Sequence, residues 1–262
     1  VLYLLAIQAK KEMVMKKTGI LGFLVVLCLV SFSFSQTAEE MLQQADQLCI
    51  EMKDMETAKE VEGLILKASN MMDNKYDAFW RLSRILYYIG EHTEIKKEKK
   101  GIFDRGVYYA EKAIELEPEK PDGHYWLGVN HGKVGETRGV LKSLSLVKPI
   151  KNAMNKVIEL DRSYEDGGPD RVLGRVFYKL PGFAGGDNKK SLEHLMKSKE
   201  YGPEDALTRV YLAETYLALK EKEKAREELE YVVNMEPDNR WFYAIDENKA
   251  VARELLDSKK FK

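Results

Sequence analysis

Four segments of this chain end alike: AEKAIELEP (110–118), MNKVIELDR (154–162), LMKSKEYGP (195–203) and LEYVVNMEP (229–237). Each carries a small or β-branched residue five positions before its last, and three of the four finish in Pro. Proline has no backbone N–H and its ring clashes with the preceding turn, so such an end stops a helix and starts a turn. From Pro203 to Pro237 is 34 residues. A period of that length marks one supersecondary unit used repeatedly, each unit burying its apolar face only against the next. Apolar residues recur at helical spacing nearly everywhere after Thr37, and no stretch alternates convincingly as a strand.

The helices between these ends share a second pattern. Tyr125-Trp126-Leu127-Gly128 leads to His131, Val172-Leu173-Gly174 to Phe177, and Tyr211-Leu212-Ala213 to Tyr216. This is the large–Leu–small–x–x–aromatic pattern of a tetratricopeptide first helix. The small residue lets the paired helix approach, and the aromatic fills the gap between them. The pattern predicts an all-α, tetratricopeptide-like right-handed helical solenoid of about five helix pairs plus a C-terminal capping helix. Residues 36–74 would form a degenerate first pair, 75–238 the repeats and 239–262 the cap. Two repeats are stretched. EHTEIKKEKKG (91–101) reads as a solvated helix extension or loop. RGVLKSLSLVK (138–148) is more apolar, with Leu141, Leu144 and Leu146 available to a second subunit or to the neighbouring repeat. Leu180-Pro-Gly-Phe-Ala-Gly-Gly186 reads as a kinked loop, after which Asp187 caps a helix over 188–200.

The first 35 residues read differently. A short basic region, Met15-Lys16-Lys17, precedes the uncharged run Ile20–Val30 and the small residues Ser33 and Ser35. That layout predicts a secretory signal cleaved before Gln36, with residues 1–14 an upstream over-extension of the start. The run is shorter than the roughly 20 residues a spanning helix prefers, and an uncleaved membrane anchor is the alternative. Leu27 stands where a lipobox needs a small residue before Cys28. The expected location is therefore outside the cytoplasm. The remaining chain has one cysteine, Cys49, flanked by Leu48 and Ile50 and expected to be buried. With 42 Lys+Arg against 43 Asp+Glu, the chain lacks the basic excess of a nucleic-acid binder.

One stretch is unusual for a generic repeat. It runs from Tyr164-Glu-Asp-Gly-Gly-Pro-Asp-Arg-Val-Leu-Gly-Arg-Val-Phe-Tyr through Pro181-Gly182 and Gly186-Asp187 to His194-Leu195. It resembles the T component (TatT) associated with TRAP, the tripartite ATP-independent periplasmic transporters. The matching residues are Gly167, Gly168, Pro169, Arg171, Leu173, Gly174, Arg175, Pro181, Gly182, Gly186, Asp187, His194 and Leu195. The resemblance implies an exported, non-catalytic helical-repeat accessory of a TRAP uptake system. It would dock a substrate-binding protein, assemble as a homo-oligomer and carry a hydrophobic, ligand-accessible pore. The alternative is a periplasmic tetratricopeptide scaffold that binds extended peptides in envelope assembly.

Catalytic motifs are wanting. There is no His-Glu-x-x-His and no Cys-x-x-Cys, and the four His (92, 124, 131, 194) do not form a ligand set by spacing. Gly182–Ser191 superficially resembles a phosphate loop, but Lys189 takes the place of the Gly that should precede Lys190-Ser191, and Asp187 would repel phosphate. No cofactor or metal is expected. The candidate site is the concave face lined by the first helix of each pair. Arg81, Ile85, Tyr88, Tyr125, Val129, Arg171, Arg175, Tyr178, Val210, Glu214 and Leu217 are expected there. Arg171 and Arg175, four apart, stack on one helix face. Arginine forks bind carboxylates and tyrosines supply amphipathic area, so the groove suits an acidic peptide tail or a small hydrophobic or organic-acid ligand. The competing expectation is a self-satisfied face in which Arg175 pairs with Glu214 across repeats.

Overall fold

The computed structural model describes residues 36–52, 54–236 and 242–261. The expected export signal, the helix-ending Pro237 and the Leu141 side chain lie outside the described residues. The compact unit Ala38–Lys262 carries the repeats. Its eleven described α-helices form five pairs and a last single helix. These are α1 (Ala38–Glu51), α2 (Met55–Ser69), α3 (Tyr76–His92), α4 (Lys96–Leu116), α5 (Pro121–Arg138), α6 (Val140–Asp161), α7 (Tyr164–Lys179), α8 (Asn188–Tyr201), α9 (Ala206–Ala218), α10 (Lys222–Asn234) and α11 (Phe242–Asp257). Among the described residues there is no strand.

Local chemistry sets the boundaries. Asp54, Asp187 and Asp205 accept backbone N–H groups in the first turns of α2, α8 and α9, meeting donors that the helix itself leaves unpaired. Pro121 opens α5, where its fixed φ is already helical. Both sequence inserts are mostly helical, broken by a short loop at Thr93–Ile95 in the first and by Gly139 in the second. The charged insert lengthens α4 at its N-terminus, and the apolar one supplies the opening turns of α6, a 22-residue helix that continues through Pro149. Leu146 packs back onto the core between α5, α6 and α7.

Helix pairs close on the small residues of the repeat pattern. A Cβ on Gly174 of α7 would stand 2.6 Å from the Leu195 Cγ of α8, and one on Gly128 of α5 would stand 2.3 Å from the Met154 Cε of α6. In α3 the small residue is Ser83, whose hydroxyl donates to the Gly106 carbonyl of α4 at 2.8 Å. Asn130 of α5 then donates to the Ser83 carbonyl at 3.2 Å and its hydroxyl oxygen at 3.0 Å, joining consecutive repeats through a buried polar contact. The apolar core is divided accordingly. One cluster gathers Met41, Val61, Ile65 and Leu82, a second Tyr125, Met154, Val157 and Leu173, and a third Leu195, Leu212, Leu229 and Val232. Each serves neighbouring helices only, as a stacked array requires. Cys49 is a buried free thiol.

The first helices α3, α5, α7 and α9 lie side by side with α11 beyond them, forming an inner row. The row curls until its ends touch: the His92 imidazole of α3 meets the Glu247 carboxylate of α11 at 2.6 Å. Gly174→Ala should therefore cost about 1–3 kcal/mol by overpacking against a buried, branched Leu. Gly63→Ala, in α2 with nothing within 4 Å of the new methyl, should gain about 0.5–1 kcal/mol. Urea denaturation of the two variants checks both signs.

Candidate functional site

The inner face begins at an ion-pair cluster. Arg81 Nε donates to both oxygens of Asp46 of α1, at 3.1 and 3.0 Å, and its Nη2 donates to the same carboxylate at 2.8 Å. Arg84 Nη2 reaches Asp46 at 2.6 Å. Both guanidiniums lie over the Trp80 ring, at 4.2 and 5.0 Å from its centroid. Burial pushes the Asp46 carboxyl up, but the hydrogen bond from Arg81 and the two guanidinium charges outweigh it and hold it below the ordinary range.

In the middle of the row, Arg171 of α7 divides its donors among three neighbours. Nη1 donates to Asp205 at 2.8 Å, and Nη2 to the Tyr125 hydroxyl of α5 at 3.0 Å and the Glu165 carbonyl at 3.3 Å. Asp205 at the same time caps α9, accepting from the Thr208 N–H at 2.9 Å and from its hydroxyl. The Glu165 carbonyl is available because Glu165, Asp166 and Gly167 all take left-handed backbone (φ 50, 56 and 75°) before α7 becomes regular. Left-handed conformation costs about 1–2 kcal/mol at each non-Gly residue. Gly167 alone fits its place, since a Cβ there would sit 2.8 Å from the Ser198 backbone of α8. Burial pushes the Tyr125 phenol up to about 12, against the opposing pull of Arg171. Burial likewise raises the Glu165 carboxyl, although Arg84 and Arg171 oppose it.

Further along, the wall is aromatic. Tyr87 of α3 and Trp126 of α5 pack at 5.9 Å between centroids. The Arg175 guanidinium of α7 lies 4.1 Å from the Tyr211 ring centroid of α9 and 5.2 Å from that of Tyr178. Arg175 also pairs with Glu214 of α9, and Lys133 of α5 pairs with Glu91 at 2.6 Å and Glu136 at 3.1 Å. Desolvation raises the phenols of Tyr87 and Tyr211, with Lys133 and Arg175 respectively pulling the other way. Two donors in this wall are buried and meet no acceptor: Trp126 Nε1 and Arg175 Nε. A buried donor left unpaired costs about 1–3 kcal/mol.

The expected site residues thus fall into three groups. Tyr125, Arg171, Arg175, Tyr178 and Glu214 come together in the middle of the inner row. Arg81 stands in the Asp46 cluster toward the N-terminus. Tyr88 is buried and stacks on the His92 ring at 4.0 Å between centroids. The Arg175–Glu214 pairing weighed from the sequence is formed. Ile85 and Val210, expected on the open surface, are 1% and 3% exposed and belong to the core, Ile85 in the cluster of α1 and α2 and Val210 in that of α8 and α10. Spacing alone missed Tyr87, Trp126, Lys133 and Tyr211. All four lie in the repeat helices that the pattern found, but one position away from the register chosen.

On the other side of α7, Asp170 is fully buried and accepts from Arg162 Nε at 2.7 Å and Nη2 at 3.1 Å, and from His194 Nδ1 at 2.7 Å. No nucleophile accompanies this dyad in the described contacts, and its geometry serves to tie α6, α7 and α8. Among the described residues no group of three or more His, Cys, Asp or Glu could hold a metal ion.

Stacked helix pairs of this kind, closing on small residues at equivalent places, define an all-α array of the tetratricopeptide class. The family model described as TRAP transporter T-component matches residues 122–261, and that described as Regulator of microtubule dynamics protein 1-3 matches residues 41–180. Each match spans more than half of the chain, which therefore belongs to the tetratricopeptide-like TRAP transporter T-component family and, through its N-terminal repeats, to that of the regulators of microtubule dynamics. Regulator of microtubule dynamics protein 3 of Rattus norvegicus is 28% identical over 204 residues, covering 71% of this chain and 42% of that protein. Regulator of microtubule dynamics protein 1 of Mus musculus is 28% identical over 124 residues, 47% of this chain and 39% of that one. The chain spans about two fifths of the length of these relatives. A crystal structure of a thermophilic TPR protein of Thermus thermophilus superposes with a TM-score of 0.63 at 13% identity, covering 83% of this chain and 100% of the other. That likeness is one of fold.

Arg171→Met should cost about 3 kcal/mol, the scale on which breaking a buried ion pair is felt. Tyr125→Phe, which removes one hydrogen bond to the same guanidinium, should cost about 1.5 kcal/mol. Urea unfolding of both variants and of the double variant should give a combined loss smaller than the sum.

Proposed function

We propose that this protein is a non-catalytic accessory of a TRAP-type uptake system, working outside the cytoplasm, whose inner face holds a small ligand with an apolar body and a carboxylate or carbonyl end. The observation that carries this is the pair of buried donors without acceptors, Trp126 Nε1 and Arg175 Nε, in a wall of Tyr87, Tyr178 and Tyr211. A ligand oxygen would restore the missing hydrogen bonds, and the rings would cover its apolar part. The charge pattern supports recognition by hydrogen bonding more than by net charge, because Arg171, Arg175 and Lys133 each already have a carboxylate partner. The expected protein partner is the substrate-binding protein of the same system, docked on a homo-oligomer. No nucleic acid is involved.

A second reading draws on the relatives named as regulators of microtubule dynamics, whose family model matches residues 41–180 and one of which aligns over 71% of this chain. In that reading the array docks a protein partner and needs no small ligand. Native mass spectrometry of the protein purified without denaturation separates the two. The first predicts a bound small-molecule mass that falls at least tenfold in occupancy in the Trp126→Phe, Arg175→Met double variant, with its helicity intact. Bare protein in both cases, together with co-pelleting on polymerised tubulin, would transfer the assignment to the second.

A further inference from the structure

The contact that closes the inner row has a protonation requirement of its own. His92 Nδ1 lies 2.9 Å from the Tyr88 carbonyl oxygen, and Nε2 lies 2.6 Å from Glu247 Oε1. A backbone carbonyl and an ionised carboxylate both only accept, so each ring nitrogen must carry a proton to make its bond. A neutral imidazole has one N–H and satisfies one of the two. The closed contact therefore calls for the imidazolium, stacked on the Tyr88 ring.

We propose that His92 and Glu247 form a proton-operated latch that pins the N-terminal part of α11 to α3 and closes the ring of inner helices. The placement suits a latch. The distal end of the C-terminal segment is held elsewhere: Leu255, Leu256 and Phe261 pack on the α9–α10 core, and the Arg226 guanidinium of α10 lies 4.9 Å from the Phe261 ring centroid. Glu247 lies in the N-terminal half of α11, where the buried Ile245 and the Lys249 ammonium, donating to the Met235 carbonyl, also hold the helix. Release at His92 would leave α11 held by α9 and α10 and would open the ring of inner helices between α3 and α11.

The surroundings favour the charged ring. Glu91 precedes His92 on α3 and is itself paired with Lys133 of α5 at 2.6 Å. Lys99 of α4 points at the Glu91 carbonyl at 2.7 Å, and so is engaged with backbone rather than with the imidazole. Asp54, before α2, adds negative charge near Tyr88. The hydrogen bond to Glu247 raises the His92 pKa above its ordinary value, against partial desolvation, with the Tyr88 carbonyl and the Glu247 and Glu91 charges adding to the rise. A raised histidine pKa gives stabilisation that is complete below about 6.5, the unfolded value, and is lost as pH climbs through the higher folded value. The latch is thus strongest in mild acid and weaker above neutrality, where the neutral ring keeps only one of its two bonds.

The test uses the full chain. Nitrogen NMR of the imidazole should show both His92 nitrogens protonated at low pH, with titration above about 6.5, returning to the ordinary value in Glu247→Ala. Hydrogen exchange of α11, corrected for the intrinsic pH dependence, should rise about two- to fivefold through the same range, the scale of a partly exposed ion pair. In His92→Gln it should stay at the high-pH level throughout. Titration of His92 at its ordinary value in the unaltered protein would overturn the proposal, as would α11 exchange that ignores the titration. Glu247→Ala keeps the test decisive if His92→Gln fails to fold.

Discussion

Arg171 holds Asp205 with one nitrogen and Tyr125 and the Glu165 carbonyl with another, and through them joins three consecutive repeats. In a stacked array each unit touches only its neighbours, so nothing but interfaces sets the curvature. This guanidinium lies in two of those interfaces at once. It also compensates the left-handed turn at Glu165 and Asp166, where the Glu165 carbonyl would otherwise face the inner row without that donor. The cap of α9 depends on it as well, because Asp205 divides its carboxylate between the helix N-terminus and Arg171.

Because these charges are satisfied internally, what remains of the inner face is aromatic. The cations are paired, and the rings of Tyr87, Trp126, Tyr178 and Tyr211 are left to define the wall. Unpaired donors in such a wall are destabilising in isolation and favour the binding of an acceptor. The same internal pairing explains why the His92–Glu247 contact matters. It is one hydrogen-bonded pair between helices far apart in sequence, set where the row closes on itself rather than in a packed core.

The architecture was legible because a repeat states its own constraint several times over. Gly128, Gly174 and Ala213 follow Leu at equivalent places, and a paired helix cannot approach unless those residues are small. Asp187 announced α8, and the inserts read as loops or extensions became additional helical turns. The aromatic wall was less legible. Positions two before, two after and five after Leu173 gave Arg171, Arg175 and Tyr178, but the same register gave Val210 in α9, and a register one residue later in α3 gave Ile85, both covered by neighbouring helices. The choice also passed over Trp126 and Tyr211, one residue away. A shift of one residue on a helix is a turn of about 100°, and the crossing of adjacent first helices decides which of two neighbouring positions stays open.

The amino-acid sequence by itself determined the helices, their pairing and the number of repeats, since each depends on residues within one unit or its neighbour. Only the tertiary structure decided which partner each charge takes and where the row of inner helices closes. Arg171 meets Asp205, Arg175 meets Glu214 and His92 meets Glu247 through the summed rotation of successive repeats. Small angles at each interface add along the array, so the meeting of α3 with α11 is a property of the whole curve and of no single segment.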